Sequence, residues 1–296
     1  MSNSLGIMRA PDSVLFGAKQ RHALGKVARQ FGPSTLICTD ERFAESAEMQ
    51  DLLRSLFDAK VTPQVFTRTE PELPIESIVD CQKTYGHHSP DSIIGVGGGS
   101  CLDMAKFVSL LMTHGGDLSD YYGEFKVRGP IIPVIAIPTT AGTGSEVTPV
   151  AVVADNMRDL KVGVSSPYMI PQVAICDPEL TLTCPPGLTA VAGADALTHA
   201  IEAFTAKAMG ASDTDTETLA KDAIRRIRDL FAEIRIPETL ADLGLGQDKL
   251  DWVASQSMSA ARLINNNPRK LELAGVTEIV TAAFHGTTNQ EIENAV

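Results

Sequence analysis

The residues best placed for chemistry fall in four stretches. The first is IIGVGGGSCLDMAK, residues 93–106. A short apolar run, Ile93 to Val96, meets Gly97, Gly98 and Gly99, and apolar residues then recur at helical spacing through Leu102, Ala105 and Val108. Strand, glycine turn and helix in that order can seat a phosphate. Glycine lets the backbone approach an anion, and the first helical N–H groups with the helix dipole hold it. Ser100 stands where an N-cap is expected and can add a hydroxyl. The pattern is not a full G-x-G-x-x-G fingerprint: Gly95 and Gly97 fit its first two places, but Ser100 takes the third. A plain tight turn is the alternative.

Asp40 closes the apolar run TLICT. An acid at a strand end can accept from ribose hydroxyls and would repel a 2′-phosphate. It can equally cap the helix that follows. Asp103 and Lys106 lie three apart on a helix and can pair. Lys106 could turn to a phosphate instead, and a solvated surface pair is the plainer expectation. TTAGTGSE, residues 139–146, sets Thr139, Thr140, Thr143 and Ser145 among two glycines at a strand end. Hydroxyls there suit pyrophosphate, ribose or an amide, or form an ordinary loop. Asp195 and His199, in AGADALTHAIEAF, share a helix face. Carboxylate and imidazole together are donors for Fe(II) or Zn(II), although an internal Asp–His hydrogen bond is the plainer reading. A metal needs more ligands, and the other histidines (22, 87, 88, 114 and 285) form no cluster in sequence.

The elements that must position these residues alternate. Strands are expected at 14–16, 35–39, 61–66, 93–96, 131–137 and 173–176, with helices over 24–31, 43–57, 75–85 and after the glycines. Such alternation predicts a parallel α/β sheet. Residues 147–154 and 160–164 read as a hairpin. Beyond Pro185-Pro186 the pattern turns helical, over 188–206, 212–236, 250–263 and 277–284, with a turn at 265–268 and a polar tail. The expected domains are 1–184, α/β, and 185–296, all-helical.

The 296 residues carry 25 basic and 37 acidic side chains, a net charge of −12. That balance argues against a nucleic-acid or anionic-membrane partner. Five cysteines, an odd number without a C-x-x-C pair, suit free thiols in a reducing cytoplasm. The first residues show no signal-peptide core, and no run approaches the ~20 apolar residues of a membrane span.

Together GVGGGSCLDMAK, PTTAGTGSEVT, DPELTLTCPP, GADALTHAIEAF and NNPRKL resemble the iron-containing, group III alcohol dehydrogenase family in order and setting. The resemblance implies a Rossmann-like dinucleotide-binding domain plus an all-α domain, the dehydroquinate synthase-like architecture, with NAD and substrate in the cleft between them. It implies metal-assisted hydride transfer between an alcohol and an aldehyde or ketone, a cytoplasmic enzyme, and a homodimer or higher homo-oligomer. Asp40 then resembles the ribose acid that favours NAD over NADP. Gly97, Gly98, Gly99 and Ser100 resemble the pyrophosphate loop, with Asp103 beside it. Thr139, Thr140 and Thr143 resemble nucleotide-contacting threonines, Lys161 a lysine near the nicotinamide ribose, and Leu180 an apolar residue lining the cofactor. Asp195 and His199 resemble two of four metal ligands, and so the catalytic pair.

The chain departs from the family after residue 230, where two further histidine ligands belong. Leu230 runs instead into FAEIRIPETLADLGL, which resembles a region well downstream. Three explanations stand: a segment missing from the sequence, a deletion form that binds NAD without catalysis, or a metal-independent relative resembling the maleylacetate reductases. Retention of Asp195 and His199 fits the last least well.

Overall fold

The computed structural model describes residues 9–87, 89–205, 216–259, 264 and 270–286. Nine strands run β1 (Ser13–Phe16), β2 (Ser34–Cys38), β3 (Thr62–Phe66), β4 (Ser92–Gly97), β5 (Gly123–Glu124), β6 (Val134–Pro138), β7 (Val150–Asp155), β8 (Leu160–Ser165) and β9 (Val173–Cys176) among the described residues. The helices are α1 (Leu24–Arg29), α2 (Glu41–Ala44), α3 (Ala47–Asp58), α4 (Ile75–Tyr85), α5 (Gly99–His114), α6 (Pro186–Thr205), α7 (Thr216–Glu233), α8 (Leu250–Ser259) and α9 (Leu273–His285).

Six strands form one parallel sheet in the order β1-β9-β6-β4-β2-β3. Both faces of β4 and β6 are covered, and these mostly apolar strands are buried throughout, as a parallel sheet covered on two sides requires. Alternation sorts their side chains. Leu36, Cys38 and Ile93 face a core with Met104, Phe107 and Ile78 of α4 and α5. Ile37, Ile94, Val96, Ile135 and Ile137 face the opposite core, with Leu24, Leu52 and Leu56 of α1 and α3. The hairpin forms as expected, β7 and β8 pairing antiparallel from Val150↔Ser165 to Asp155↔Leu160. With β5 it makes a second, three-stranded sheet.

Two expectations are corrected. The helix expected over 43–57 is two helices, because Ser46 adopts an extended backbone and caps α3 by accepting from the Met49 N–H. Helix α5 begins at Gly99 rather than after Ser100. Gly98 is the extended cap residue, and no side chain caps it.

The chain forms two compact units that divide between Ala192 and Gly193, within α6, whereas the expected boundary at 184 lies before that helix. The first turns of α6 belong to the sheet unit because Gly142 packs against Ala192, where a Cβ would lie 2.7 Å from the Ala192 carbonyl oxygen. The second unit is helical. Among the described residues its core comprises Leu250, Ala254, Val276 and Val280 between α8 and α9, while Leu230, Trp252, Leu273 and Ile279 are exposed. The turn expected at 265–268, most of NNPRKL and the tail beyond residue 286 lie outside the described residues. Among the described residues no helix is long and apolar enough to cross a membrane.

Candidate nucleotide site and metal-ligand pair

The strand order contains one reversal that matters. From β2 the chain moves outward to β3, then returns to β4 on the other side of β2. In open parallel sheets, ligands bind beyond the carboxyl ends of the strands at such a switch point. Register then decides which residues meet there. Cys38 stands opposite Gly95 and Gly97 opposite Pro138. Asp40, the Gly97 turn and Thr139 therefore leave three adjacent strands at one level, although long stretches of chain separate them.

Each member of the group has a defined local cause. Asp40 caps α2, its Oδ1 accepting from the Phe43 N–H at 2.8 Å. Its Oδ2 lies 3.8 Å from the Cys101 Sγ. One carboxylate oxygen thus holds the helix while the other stays on the glycine-turn side, so capping and ligand contact are compatible. Gly97 has φ +144, which other residues rarely adopt, and a Cβ there would lie 2.6 Å from the Cys101 Sγ. The Thr139 N–H donates to the Gly97 carbonyl at 2.9 Å and ties the loop to the turn. A Cβ on Gly99 would meet the Thr143 Cγ2 at 2.8 Å, and one on Gly98 would lie 3.7 Å from the Thr140 Oγ1. Bare backbone and an uncapped helix start thus face threonine side chains, with Ser100 half-buried in the first turn of α5. The Thr139 hydroxyl is buried without a partner, as are those of Thr39 and Thr69. Unpaired buried hydroxyls are costly. This cradle, kept open by glycines and walled by hydroxyls, fits the pyrophosphate and ribose of a dinucleotide.

Asp103 and Lys106 are not a solvated pair. Both are buried, Lys106 completely. Lys106 Nζ donates to the carbonyls of Thr148 at 3.0 Å and Val150 at 2.7 Å, and lies 3.9 Å from Asp103 Oδ1. Asp103 accepts from the Ser145 hydroxyl and from the Val152 N–H at 2.8 Å. Helical spacing alone could not reveal this, since every partner but Asp103 lies on a distant loop or strand.

Leu180 sits buried in the core among Val96, Ile175 and their neighbours, within a turn capped by Asp177. That turn is fastened by Arg21, which the sequence did not single out. Arg21 reaches Asp177 at 2.8 Å and Glu179 at 2.7 Å. Burial pushes the Asp177 carboxyl up, but hydrogen bonds from Arg21 and the turn outweigh it and hold it below its usual value. Lys161 is exposed on β8 and pairs with the exposed Glu72. All five cysteines are free thiols. Cys101 is buried under the glycine turn, and burial with the nearby Asp40 charge pushes its thiol up to about 12, so it is inert.

Asp195 and His199 do share one helix face, His199 Nε2 lying 3.9 Å from Asp195 Oδ1, with both side chains open to solvent. Among the described residues no group of three or more metal-ligand side chains occurs. Two donors fall short of the three or four that hold zinc in proteins, so the described residues do not by themselves fit an iron or zinc centre.

The fold and site define a class: a doubly wound dinucleotide-type domain joined to a helical domain. Within that class, the chain belongs to the iron-containing alcohol dehydrogenase family. The family model "Iron-containing alcohol dehydrogenase" matches residues 11–178, more than half of the chain, and the corresponding C-terminal model matches residues 205–284. The chain is 34% identical over 220 residues to the NAD-dependent methanol dehydrogenase of Bacillus methanolicus, covering 74% of this chain and 57% of that protein. It is 30% identical, with a TM-score of 0.66, to the structure of an iron-containing alcohol dehydrogenase from Thermotoga maritima, over 78% of this chain and 63% of that one. An Oenococcus oeni alcohol dehydrogenase superposes with a TM-score of 0.87 over 95% of this chain and 100% of that one, at 23% identity, and shows the shared fold. The chain spans about half the length of the curated relatives it matches, 57%, 47% and 48% for three of them.

Proposed function

We propose that this chain binds NAD at the glycine turn and belongs to an oxidoreductase interconverting a small alcohol with its aldehyde or ketone by hydride transfer. The observation that carries the reading is the meeting of Asp40, Gly97 to Ser100 and Thr139 to Thr143 at the switch point of the sheet. The uncapped start of α5 supplies donors for the pyrophosphate, and Asp40 accepts from the adenosine ribose and selects NAD over NADP. The nicotinamide supplies the hydride chemistry. This chain's own part is to hold and orient the nucleotide. Asp195 and His199 are the two residues that would contribute to an Fe(II) or Zn(II) centre. The identity to a relative named for NAD dependence supports the cofactor. We place the protein in the cytoplasm, with its thiols free, and as a homo-oligomer without nucleic-acid or membrane partners.

Titration of NADH fluorescence with the full chain, alongside metal analysis and turnover of a short-chain alcohol, tests this. Saturable NADH binding with turnover in the presence of added Fe(II) or Zn(II) is the expected result. No NADH binding sinks the reading. The count of two donors among the described residues favours a second reading, an NAD-binding chain without catalysis. That reading predicts NADH binding with no bound metal and no turnover, and stoichiometric metal with turnover refutes it.

A further inference from the structure

We infer that Lys106 and Asp103 are positioning residues that set the 139–145 loop at its working distance from the glycine turn, without themselves touching nucleotide. The inference rests on the dinucleotide reading above and goes beyond it in naming what holds the site open.

Helix α5 is the element common to both walls of the cradle. Its first residue, Gly99, faces Thr143. One turn further along the same helix, Asp103 takes the hydroxyl of Ser145, two residues beyond Thr143. Ser145 in turn donates its N–H to the Thr143 Oγ1 at 3.2 Å. Asp103 also accepts from the N–H of Val152 in β7, and Lys106 donates to the carbonyls of Thr148 and Val150 at the loop's exit. Four bonds from two side chains therefore pin the loop's far end to α5, over sequence separations of 42 to 49 residues. The near end is pinned by the Thr139 N–H on Gly97. Between the pins the loop must pass over Gly98 and Gly99 at a fixed height.

A buried ion pair is a poor way to gain stability, because desolvation offsets the attraction. Both groups here show that cost. Burial pulls the Lys106 ammonium down to about 8 against the attraction of Asp103 and Glu146, and burial pushes Asp103 up. An arrangement that costs stability and ties the far end of the loop beside the glycine turn to α5 serves geometry. It also makes the brace sensitive to pH. Lys106 carries its charge below about 8 and loses it above. The charged groups facing it are Asp103 and Glu146, and the ammonium-assisted bonds to Thr148 and Val150 weaken on deprotonation.

The test is NADH fluorescence titration of the full chain from about pH 6.5 to about pH 9.5. Wild type, Lys106→Met and Ser145→Ala are compared, with thermal unfolding run on each. The expected wild-type Kd rises at least about threefold through the Lys106 titration, Lys106→Met binds about tenfold more weakly at neutral pH, and its pH break is gone. Ser145→Ala keeps Lys106 and the break but binds about threefold more weakly, which serves if Lys106→Met does not fold. A folded Lys106→Met with wild-type affinity, or with the break intact, overturns the brace, as does unchanged affinity in Ser145→Ala. Wild type that binds no NADH overturns the dinucleotide reading and the brace together, whereas binding unaltered by the variants overturns the brace alone.

Discussion

Replacing Gly97 by alanine probes the centre of the site by a route that needs no ligand. At φ +144 a side chain is strained whatever room it has, and such backbone costs about 1–3 kcal/mol. Room is also lacking. The new Cβ would lie 2.6 Å from the Cys101 Sγ and 2.8 Å from the Cys101 Cβ, and Cys101 is itself only 3% exposed. Overpacking at a filled site adds about 1–3 kcal/mol. The sum, about 2–6 kcal/mol, is a large share of a domain's stability. Urea unfolding followed by circular dichroism should show a lower midpoint with an unchanged slope. The steric part is separable by a double-mutant cycle. In a Cys101→Ala background the sulfur contact is gone and only the Cβ contact and the φ strain remain. There Gly97→Ala should cost about 1 kcal/mol less than in the wild type. A loss under about 1 kcal/mol for Gly97→Ala would refute the strained-turn account. Strict additivity with Cys101→Ala would refute the contact.

Three further expectations follow from the same geometry. Gly99→Ala meets only the exposed Thr143 side chain, which can rotate, so stability should fall by less than about 1 kcal/mol while NADH affinity drops about tenfold; equal losses in both would contradict it. Asp40→Asn keeps an N-cap acceptor for the Phe43 N–H and should leave stability within about 0.5 kcal/mol, yet it removes the charge and should raise NADPH binding relative to NADH; a constant ratio would remove Asp40 from the ribose contact. Arg21→Ala strips the main partner from the buried Asp177 and should cost about 3 kcal/mol by thermal unfolding. Because the Asp177 carboxyl is held below its ordinary 3.8, its extra stability is present above that value and is lost as pH falls through the lower folded value. The acid limb of the stability profile should therefore be shallower in Arg21→Ala than in wild type. An identical limb in both would show that the salt bridge is not what holds Asp177 ionised.

Local pattern determined much of this protein. Alternating apolar runs and helical periods gave the parallel α/β half, the hairpin and the helical half, because these patterns are set within a few residues. The glycine run after Val96 and the acid at the end of TLICT marked the proposed nucleotide site for the same reason: a strand end, a turn and a helix start are adjacent in sequence. Asp195 and His199 shared a face by helical spacing alone. Tertiary structure decided the rest. Only the order β3-β2-β4-β6 and its register bring Asp40, Gly97 and Thr139 to one edge, since parallel neighbours are joined by long crossovers that sequence spacing does not report. Only packing shows Lys106 as fully buried rather than solvated. Its helical spacing suits either state, and the carbonyls that satisfy it come from 42 and 44 residues away. Arg21 gave no signal at all, because its partner Asp177 lies 156 residues distant. The break at Ser46 was hidden by an apolar period that runs unbroken across two helices, and a single cap hydrogen bond decided it.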